Sequence, residues 1–174
     1  MLLALVGLPG SGKSTVGRQL ARRLGLPFTD SDHVIEQRIG CSIRSFFERE
    51  GESAFRDLEQ GVIDELMQSA NGVVATGGGA VLRAANRDRL HASAKVIYLR
   101  STPEEVHRRL RHDANRPLLQ VADPMERLRS LQAERDPLYR ETAHFVIETG
   151  RPSIATLVNM ILMQLELAGL IPHG

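Results

Sequence analysis

Short apolar runs alternate with amphipathic stretches along the whole chain. Five runs are typical of buried parallel strands, because each is short, mostly apolar and bounded by turn residues. The segments between them repeat apolar residues at helical spacing, as Val16, Leu20 and Leu24 do. Strands that alternate with helices predict an α/β domain with a parallel sheet covered on both faces. The predicted strands are Leu2–Val6, Leu26–Thr29, Val73–Ala75, Val96–Leu99 and Phe145–Ile147.

Capping residues and prolines mark the helix boundaries. Residues 102–105 (TPEE) and 123–126 (DPME) each place a cap residue, a proline and an acid in the order typical of a helix start. Pro152 is predicted to open the last helix, whose apolar face would pack into the core. Pro137 is predicted to break the helix before it, which would place Arg135 near the end of that helix.

Two segments depart from the simple alternation of strands and helices. Residues 31–69 are helical in pattern and too long for a plain crossover, so we expect a subdomain that projects from the sheet. Residues 113–122 are irregular and lie between two capped helices. With 174 residues the chain is expected to form one domain, since that length suffices for a single core.

Composition and charge narrow the possible partners. The net charge of +1 gives no global field that would favour nucleic acid or an anionic membrane. The apolar run Leu157–Leu167 is too short and too often interrupted by polar residues to span a bilayer. Cys41 is the only cysteine, so no disulfide can form within the chain, which fits a reducing, cytoplasmic compartment.

The strongest chemical signal is a glycine-rich loop at residues 7–14. It reads GLPGSGKS and matches the phosphate-binding pattern G-x-x-x-x-G-K-[ST] in full. A match can arise by chance in a glycine-rich loop, but this one follows an apolar strand and opens an amphipathic helix. Lys13 would reach the β- and γ-phosphates and Ser14 would ligate Mg²⁺. The loop therefore predicts a nucleoside triphosphate and leaves the acceptor unidentified.

Residues 30–32 (DSD) end the second predicted strand. Ligands of open α/β sheets lie at the carboxyl ends of the strands, so the two carboxylates here can take different roles in binding and catalysis. Either can hold a metal ion through water while the other accepts a hydrogen bond or proton from an attacking hydroxyl group. The alternative is a turn or a helix N-cap, for which this sequence is equally well suited.

Two further signals lie in or after the helical excursion. Arg56 and Glu59 are three residues apart on a predicted helix over residues 52–67, so they share a face and can pair, although a solvated surface pair has the same spacing. Gly77–Gly79 follows the third strand, and three consecutive glycines indicate close approach to the backbone, by a ligand or within a tight turn.

Two arginines in the second half of the chain allow more than one interpretation. Arg116 lies in the irregular segment, where it could close over phosphates and exclude water. Arg135 could bind an anionic group or could simply complement the dipole of its helix.

Taken together, these segments resemble the shikimate kinase family in order and spacing over nearly the whole chain. The P-loop alone is shared by many families, whereas the combination of the remaining segments is specific. The resemblance implies a three-layer P-loop kinase fold with a five-stranded parallel sheet, a substrate-binding excursion at 31–69 and a mobile lid at 113–122. The matching segments are residues 7–14, 30–32, 35–38, 55–56, 77–79, 116–119 and 135–139.

The same resemblance implies a role for individual residues. Asp32 would bind the ring hydroxyls of shikimate and orient or deprotonate the attacking 3-hydroxyl, with Lys13 and Arg116 as the other catalytic groups. Arg56, Arg135 and the N–H of Gly78 would bind the substrate carboxylate. The apolar side of the ring would lie against Phe47 and Phe55, and Asp30 would hold Mg²⁺ with Ser14. ATP would contact Gly10, Ser11, Gly12, Lys13, Ser14, Thr15, Arg109, Arg116, Arg151 and Pro152.

The implied reaction converts ATP and shikimate into ADP and shikimate 3-phosphate, in a monomer. Two other functions are compatible with parts of the sequence. One is another small-molecule or nucleotide kinase of similar architecture, such as a gluconate kinase or an adenylate-kinase relative. The other is a P-loop module that binds nucleotide without catalysis. The glycine triplet with Arg56 and Arg135 suits a carboxylate on a small ring better than it suits a nucleobase.

Overall fold

The computed structural model describes residues 1–111, 121–150 and 153–173. Five parallel strands form one sheet with β1 at its centre, in the order β2-β3-β1-β4-β5. The prediction of a five-stranded parallel sheet is therefore confirmed. The strands are β1 (Leu2–Val6), β2 (Phe28–Asp30), β3 (Gly72–Ala75), β4 (Lys95–Arg100) and β5 (Phe145–Glu148).

Helices connect the strands throughout the described residues, and a short 3₁₀ turn, Ala80–Leu82, follows the glycine triplet. Three consecutive helices fill the predicted excursion between β2 and β3. The helices are α1 (Lys13–Leu24), α2 (Ser31–Ile39), α3 (Ile43–Glu50), α4 (Glu52–Leu66), α5 (Ala84–Ser93), α6 (Pro103–Leu110), α7 (Pro124–Thr142) and α8 (Ile154–Leu167).

The apolar residues of the sheet alternate between two cores. Ala4 and Tyr98 point to the face covered by α5 and α7, whereas Leu3, Leu5 and Leu99 point to the face covered by α1 and α8. This alternation follows from the two-residue period of a strand and explains why nearly continuous apolar runs are needed. A separate small core joins α2, α3 and α4, so the excursion is packed on itself as well as against the sheet. No helix of the described residues is long and apolar enough to cross a membrane.

The predicted starts of the second strand and of the last helix are wrong, each for a local reason. The second strand begins at Phe28 instead of Leu26, because the N–H of Leu26 donates to Ala21 O at 2.9 Å and closes α1 after the left-handed Gly25. The last helix begins at Ile154, after a Ser153 cap that accepts a hydrogen bond from Thr156 N. Pro152, which was predicted to open it, lies outside the described residues.

Pro137 was predicted to end its helix, but it lies inside α7. A proline there cannot donate the usual bond to the carbonyl of Ala133, which normally destabilises a helix. Both residues lie on the solvent-exposed side, so water can satisfy that carbonyl while the buried side keeps its packing. The helix starts are as predicted: Thr102 and Glu105 form a capping box, and Asp123 accepts from Glu126 N.

Two glycines with open surroundings provide a test of this helical excursion. Gly61 lies inside α4 and Gly40 ends α2 with φ 70°, and a Cβ atom at either would meet no atom within 4 Å. We expect Gly61→Ala to raise the free energy of unfolding by about 0.5–1 kcal/mol, because alanine restricts the unfolded chain. Gly40→Ala should lower it by about 1 kcal/mol, because the left-handed conformation strains a Cβ. Urea denaturation measures both; shifts in the same direction would contradict these backbone assignments.

Candidate active site

The segments that follow β1, β2 and β3 meet at the carboxyl edge of the sheet; loops follow β1 and β3, and α2 begins directly after β2. Gly77, after β3, donates its N–H to the Ser31 hydroxyl at 3.3 Å. Gly78 lies so close to the loop after β1 that an added Cβ would be 2.5 Å from Pro9 Cδ. The parallel sheet therefore brings the predicted phosphate loop, the Asp30–Asp32 segment and the glycine triplet into one site.

The loop after β1 has the conformation expected of a phosphate cradle. Gly10 and Gly12 have φ of 81° and 94°, which strongly favours glycine, and Gly12 caps the N-terminus of α1. Lys13 Nζ folds over the loop and donates to Gly7 O at 2.6 Å and Leu8 O at 2.9 Å. The buried Ser11 hydroxyl has no hydrogen-bond partner. A helix N-terminus with inward-facing donors is suited to bind phosphate oxygens.

Ser14 and Asp30 form the pair predicted to hold a metal ion. Ser14 Oγ donates to Asp30 Oδ2 at 2.5 Å. The other oxygen, Oδ1, accepts from the N–H groups of Asp32 and His33 and caps α2. The two alternatives left open by the sequence are thus compatible, because the cap uses one carboxylate oxygen and leaves the other directed at Ser14.

The donor set fits Mg²⁺ that is bound together with a nucleotide. A hydroxyl and a carboxylate supply the hard oxygen ligands that Mg²⁺ prefers, and the cation usually takes the rest from phosphates and water. In the described residues no group of three or more His, Cys, Asp or Glu side chains is arranged to hold a metal ion alone. The pair therefore matches a nucleotide-dependent magnesium site.

Asp32 lies in the first turn of α2 and carries the most perturbed carboxyl group at the site. Burial, followed by the charge of Asp30, raises the pKa of Asp32 to about 6, with Glu59 and Glu36 adding to the rise and Lys13 opposing it. Its Oδ1 would be 2.6 Å from a Cβ on Gly77, so the carboxylate rests against bare backbone. A carboxylate with a raised pKa beside the phosphate loop is suited to accept a proton near neutral pH.

Arg56, Glu59 and Arg135 form a buried ionic cluster beside Asp32. Arg56 Nη1 lies 2.8 Å from Glu59 Oε1, and Glu59 is only 1% exposed, so the surface-pair interpretation is wrong. Burial raises the pKa of Glu59, and the charges of Arg56, Arg135 and Arg83 oppose that rise. Glu59 interacts electrostatically with Asp32, Arg56 and Arg135, so the structure brings these four charged groups close together.

Aromatic rings line the same pocket. Phe47 on α3 and Phe55 on α4 have ring centroids 5.0 Å apart. The Arg56 guanidinium carbon lies 5.1 Å from the centroid of Phe55 and 5.9 Å from that of Phe47. The rings hold the arginine in place, and both belong to the small core of the helical excursion.

The remaining predicted nucleotide contacts are only partly described. Arg109 on α6 donates to Gly10 O at 3.2 Å and to Ser101 Oγ at 3.4 Å, so it lies against the phosphate loop. Thr15 is exposed in the first turn of α1. Arg116, Arg151 and Pro152 lie outside the described residues.

Sequence reasoning did not assign Tyr139 to the site. Its hydroxyl donates to Gly78 O at 2.6 Å, and its side chain is fully buried. The signal was present, because Tyr139 is four residues after Arg135 and therefore shares its helix face. The mistaken helix break at Pro137 hid that relation.

Several buried polar atoms at this site have no hydrogen-bond partner. In the part of the chain that the structure describes, they include Ser11 Oγ, Arg56 Nε, Glu59 Oε2 and Arg135 Nε. Such atoms are rare in folded proteins and mark places where a ligand or water completes the bonding. A phosphate loop that lies beside two arginines and a carboxylate of raised pKa is typical of a P-loop phosphotransferase, and the arginines suit an anionic acceptor.

Comparison with known proteins identifies the family. The model of the shikimate kinase family matches residues 9–166. A shikimate kinase from Paracidovorax citrulli is 66% identical over 171 residues, covering 97% of this chain and 93% of that protein. A shikimate kinase from Acinetobacter baumannii, solved in complex with shikimate, is 48% identical with a TM-score of 0.91, covering 97% of this chain and 93% of that chain.

The chain belongs to the shikimate kinase family. The resemblance inferred from the sequence and the expected P-loop kinase fold are confirmed. A gluconokinase from Sinorhizobium meliloti has a TM-score of 0.57 at 18% identity and covers 95% of this chain and 91% of that chain, which shows a shared fold and no more.

The raised pKa of Asp32 predicts a stability effect. At pH 7 the folded protein holds an ionised carboxylate that its surroundings disfavour, whereas in the unfolded chain that charge is solvated. We expect Asp32→Asn to raise the free energy of unfolding of the ligand-free protein by about 1–3 kcal/mol at pH 7. The gain should shrink as the pH falls below 6, because the folded wild type then takes up the proton.

Thermal unfolding in EDTA at pH 5, 6 and 7 measures this gain. Asp88→Asn is the matched control, since Asp88 is exposed on α5. The change that this substitution makes to the free energy of unfolding should stay near zero at each pH. A destabilised Asp32→Asn protein would contradict the electrostatic description of the site.

Proposed function

We propose that the chain transfers the γ-phosphoryl group of ATP to the 3-hydroxyl of shikimate, giving ADP and shikimate 3-phosphate. The observation that carries the proposal is the position of Asp32, between the Lys13 loop on one side and the Arg56–Glu59–Arg135 cluster on the other. A hydroxylated ring acid held by its carboxylate at the arginines directs its hydroxyl groups toward Asp32 and the phosphates. The names of the relatives and the shikimate bound in the Acinetobacter structure support this acceptor.

The acceptor carboxylate binds to Arg56, Arg135 and the N–H of Gly78. Two guanidinium groups grip a carboxylate through charge-assisted, paired hydrogen bonds, and Glu59 holds Arg56 at 2.8 Å in the orientation for this contact. Phe47 and Phe55 cover the apolar side of the ring. The pocket therefore selects a small ring that is anionic at one end and hydroxylated at the other.

The chemistry depends on positioning and charge neutralisation. The oxygen of the 3-hydroxyl forms a bond to the γ-phosphorus, and Asp32 accepts the proton of that hydroxyl. At the same time the bond between the γ-phosphorus and the β–γ bridging oxygen breaks, and ADP leaves. Lys13 exchanges its contacts with Gly7 O and Leu8 O for phosphate oxygens. When bound through Ser14 and Asp30, Mg²⁺ neutralises phosphate charge. Arg116 adds a further positive charge to the transferring group.

The nucleotide lies along the loop after β1. Its phosphates face the backbone and side chains of Gly10, Ser11, Gly12, Ser14 and Thr15. Arg109, which contacts Gly10 O, packs beside the adenine together with Arg151 and Pro152. Functionally the chain is one domain with a phosphate-binding core around residues 7–14, a substrate-binding excursion at 31–69 and a lid at 113–122.

We propose that the protein works as a cytoplasmic monomer, without nucleic acid or membrane as partner. The near-neutral net charge and the single, half-buried Cys41 support this environment. Met163 and Leu167 on α8 are 59% and 72% exposed, so this helix is where self-association would begin if it occurred. Light scattering during gel filtration measures the mass directly, and a dimer at micromolar concentration would contradict the proposal.

Activity is tested by following ADP release with ATP and Mg²⁺ in the presence of shikimate, gluconate or nucleoside monophosphates. We expect turnover with shikimate and at most traces with the others. Lys13→Ala should lower turnover by roughly two to four orders of magnitude with an unchanged fold, because a charge that stabilises the transition state is lost. Preference for gluconate or a nucleotide would identify a different kinase, and ATP binding without turnover would identify a non-catalytic module.

Arg56 and Arg135 together form the proposed carboxylate clamp. Two variants test it, each of which perturbs one of the two arginines. Arg135→Ala removes one guanidinium, and in Gly79→Ala the new Cβ would lie 2.6 Å from the guanidinium carbon of Arg56 and displace it. Both should raise KM for shikimate by roughly tenfold or more, while KM for ATP changes less than about twofold. Gly61→Ala is the matched control on α4. An unchanged KM for shikimate in Arg135→Ala would contradict the clamp.

A further inference from the structure

The carbonyl groups of the glycine triplet are all held, but by different kinds of donor. Gly77 O accepts from Ala80 N and Gly79 O accepts from Leu82 N, both at 3.1 Å, within the 3₁₀ turn that follows. The middle carbonyl, of Gly78, accepts from the Tyr139 hydroxyl at 2.6 Å. Local backbone thus fixes the outer two peptide groups, and a side chain from α7 fixes the middle one.

The orientation of these peptide groups decides where their N–H groups point. A planar trans peptide directs its N–H opposite to its carbonyl, so the bond to Gly78 O also sets the direction of the Gly79 N–H. Among the described residues, neither Gly78 N–H nor Gly79 N–H donates to a protein acceptor. Glycine peptides rotate more freely than any others, so a fixed donor direction here needs an anchor.

The same hydroxyl also meets the second arginine of the clamp. Arg135 lies one helical turn before Tyr139, on the same face of α7, and its guanidinium is near enough to the Tyr139 hydroxyl to act on the pKa of that group. One buried oxygen therefore holds a backbone carbonyl and lies beside a guanidinium, both in the region proposed to bind the acceptor.

The hydroxyl is a permanent donor. Burial raises the pKa of Tyr139 to about 12, against the opposing charges of Arg135 and Arg56, so the proton stays on the oxygen through neutral and mildly alkaline pH. The hydrogen bond to Gly78 O consequently persists over the range in which the enzyme would be assayed.

The turn of α7 that carries Tyr139 is anchored by side chains. Pro137 removes one backbone hydrogen bond of this turn. Asp136 in the same turn accepts from Tyr98 at 2.6 Å, from Arg100 at 3.1 Å and from Arg140 at 2.9 Å. Since Tyr98 and Arg100 belong to β4, this segment ties the glycine triplet to the sheet.

We propose that Tyr139 is a positioning residue for acceptor recognition: its hydroxyl orients the Gly78–Gly79 peptide and Arg135 toward the acceptor carboxylate. The proposal rests on the proposed function, in which that carboxylate belongs to shikimate. Tyr139 itself need not touch the acceptor, because it acts through Arg135 and through the N–H of Gly79, which adjoins the Gly78 N–H already assigned to the carboxylate.

The test compares Tyr139→Phe with Tyr98→Phe. Tyr98 is a matched control because it is equally buried, its ring centroid is 4.9 Å from that of Tyr139, and its hydroxyl also donates a bond of 2.6 Å, but to Asp136. We expect Tyr139→Phe to raise KM for shikimate three- to tenfold, with kcat and KM for ATP changed less than twofold. Tyr98→Phe should change neither KM by more than twofold, because Asp136 keeps its bonds to Arg100 and Arg140 and the turn stays anchored, although both variants should lose stability.

The methyl ester of shikimate provides a second readout, because it keeps the ring hydroxyls and lacks the anionic group. The ratio of kcat/KM for shikimate to that for the ester should fall three- to tenfold in Tyr139→Phe and stay unchanged in Tyr98→Phe. An unchanged ratio in Tyr139→Phe, or an equal fall in both variants, would overturn the positioning role and leave only packing. Wild-type protein that does not phosphorylate shikimate would overturn the proposed function itself, a result distinct from any difference between variants.

Discussion

The site depends on the absence of side chains at three consecutive positions. Asp32, Pro9 and Arg56 each lie where a Cβ on Gly77, Gly78 or Gly79 would stand. An acid from the first turn of α2, the phosphate loop after β1 and an arginine from α4 therefore converge on one stretch of bare backbone. Any larger residue would push at least one of them away, so the spacing between the phosphate side and the acceptor side is set by these glycines.

This convergence has an electrostatic cost that the surrounding charges reduce. Asp30, Asp32 and Glu59 crowd three carboxylates into a poorly solvated space, which is unfavourable without compensating partners. Arg56 and Arg135 offset the charge of Glu59, and Lys13 offsets part of the charge of Asp32. Asp32 keeps the least compensation, and its raised pKa supports the proposed role as proton acceptor.

Much of the fold was predictable because the signals are local. The alternation of apolar runs identified all five strands, and the phosphate loop was recognisable from residues 7–14 and their flanking elements. The errors came where one local signal competes with another. Leu26 is apolar enough for a strand, yet its N–H closes α1. Pro137 is a helix breaker, yet it sits on the exposed side of a helix whose buried side is well packed.

The site was predictable in composition but not in detail, because burial of a charged group depends on distant segments. The spacing of Arg56 and Glu59 fits a surface pair as well as a buried one, and only the packing of α4 against the segment after the glycine triplet decides between them. Asp30 is a further example, since one carboxylate caps a helix with one oxygen and meets Ser14 with the other. Local and catalytic interpretations of a motif need not compete: a cap that fixes a carboxylate on a rigid helix end is also what gives its second oxygen a defined direction.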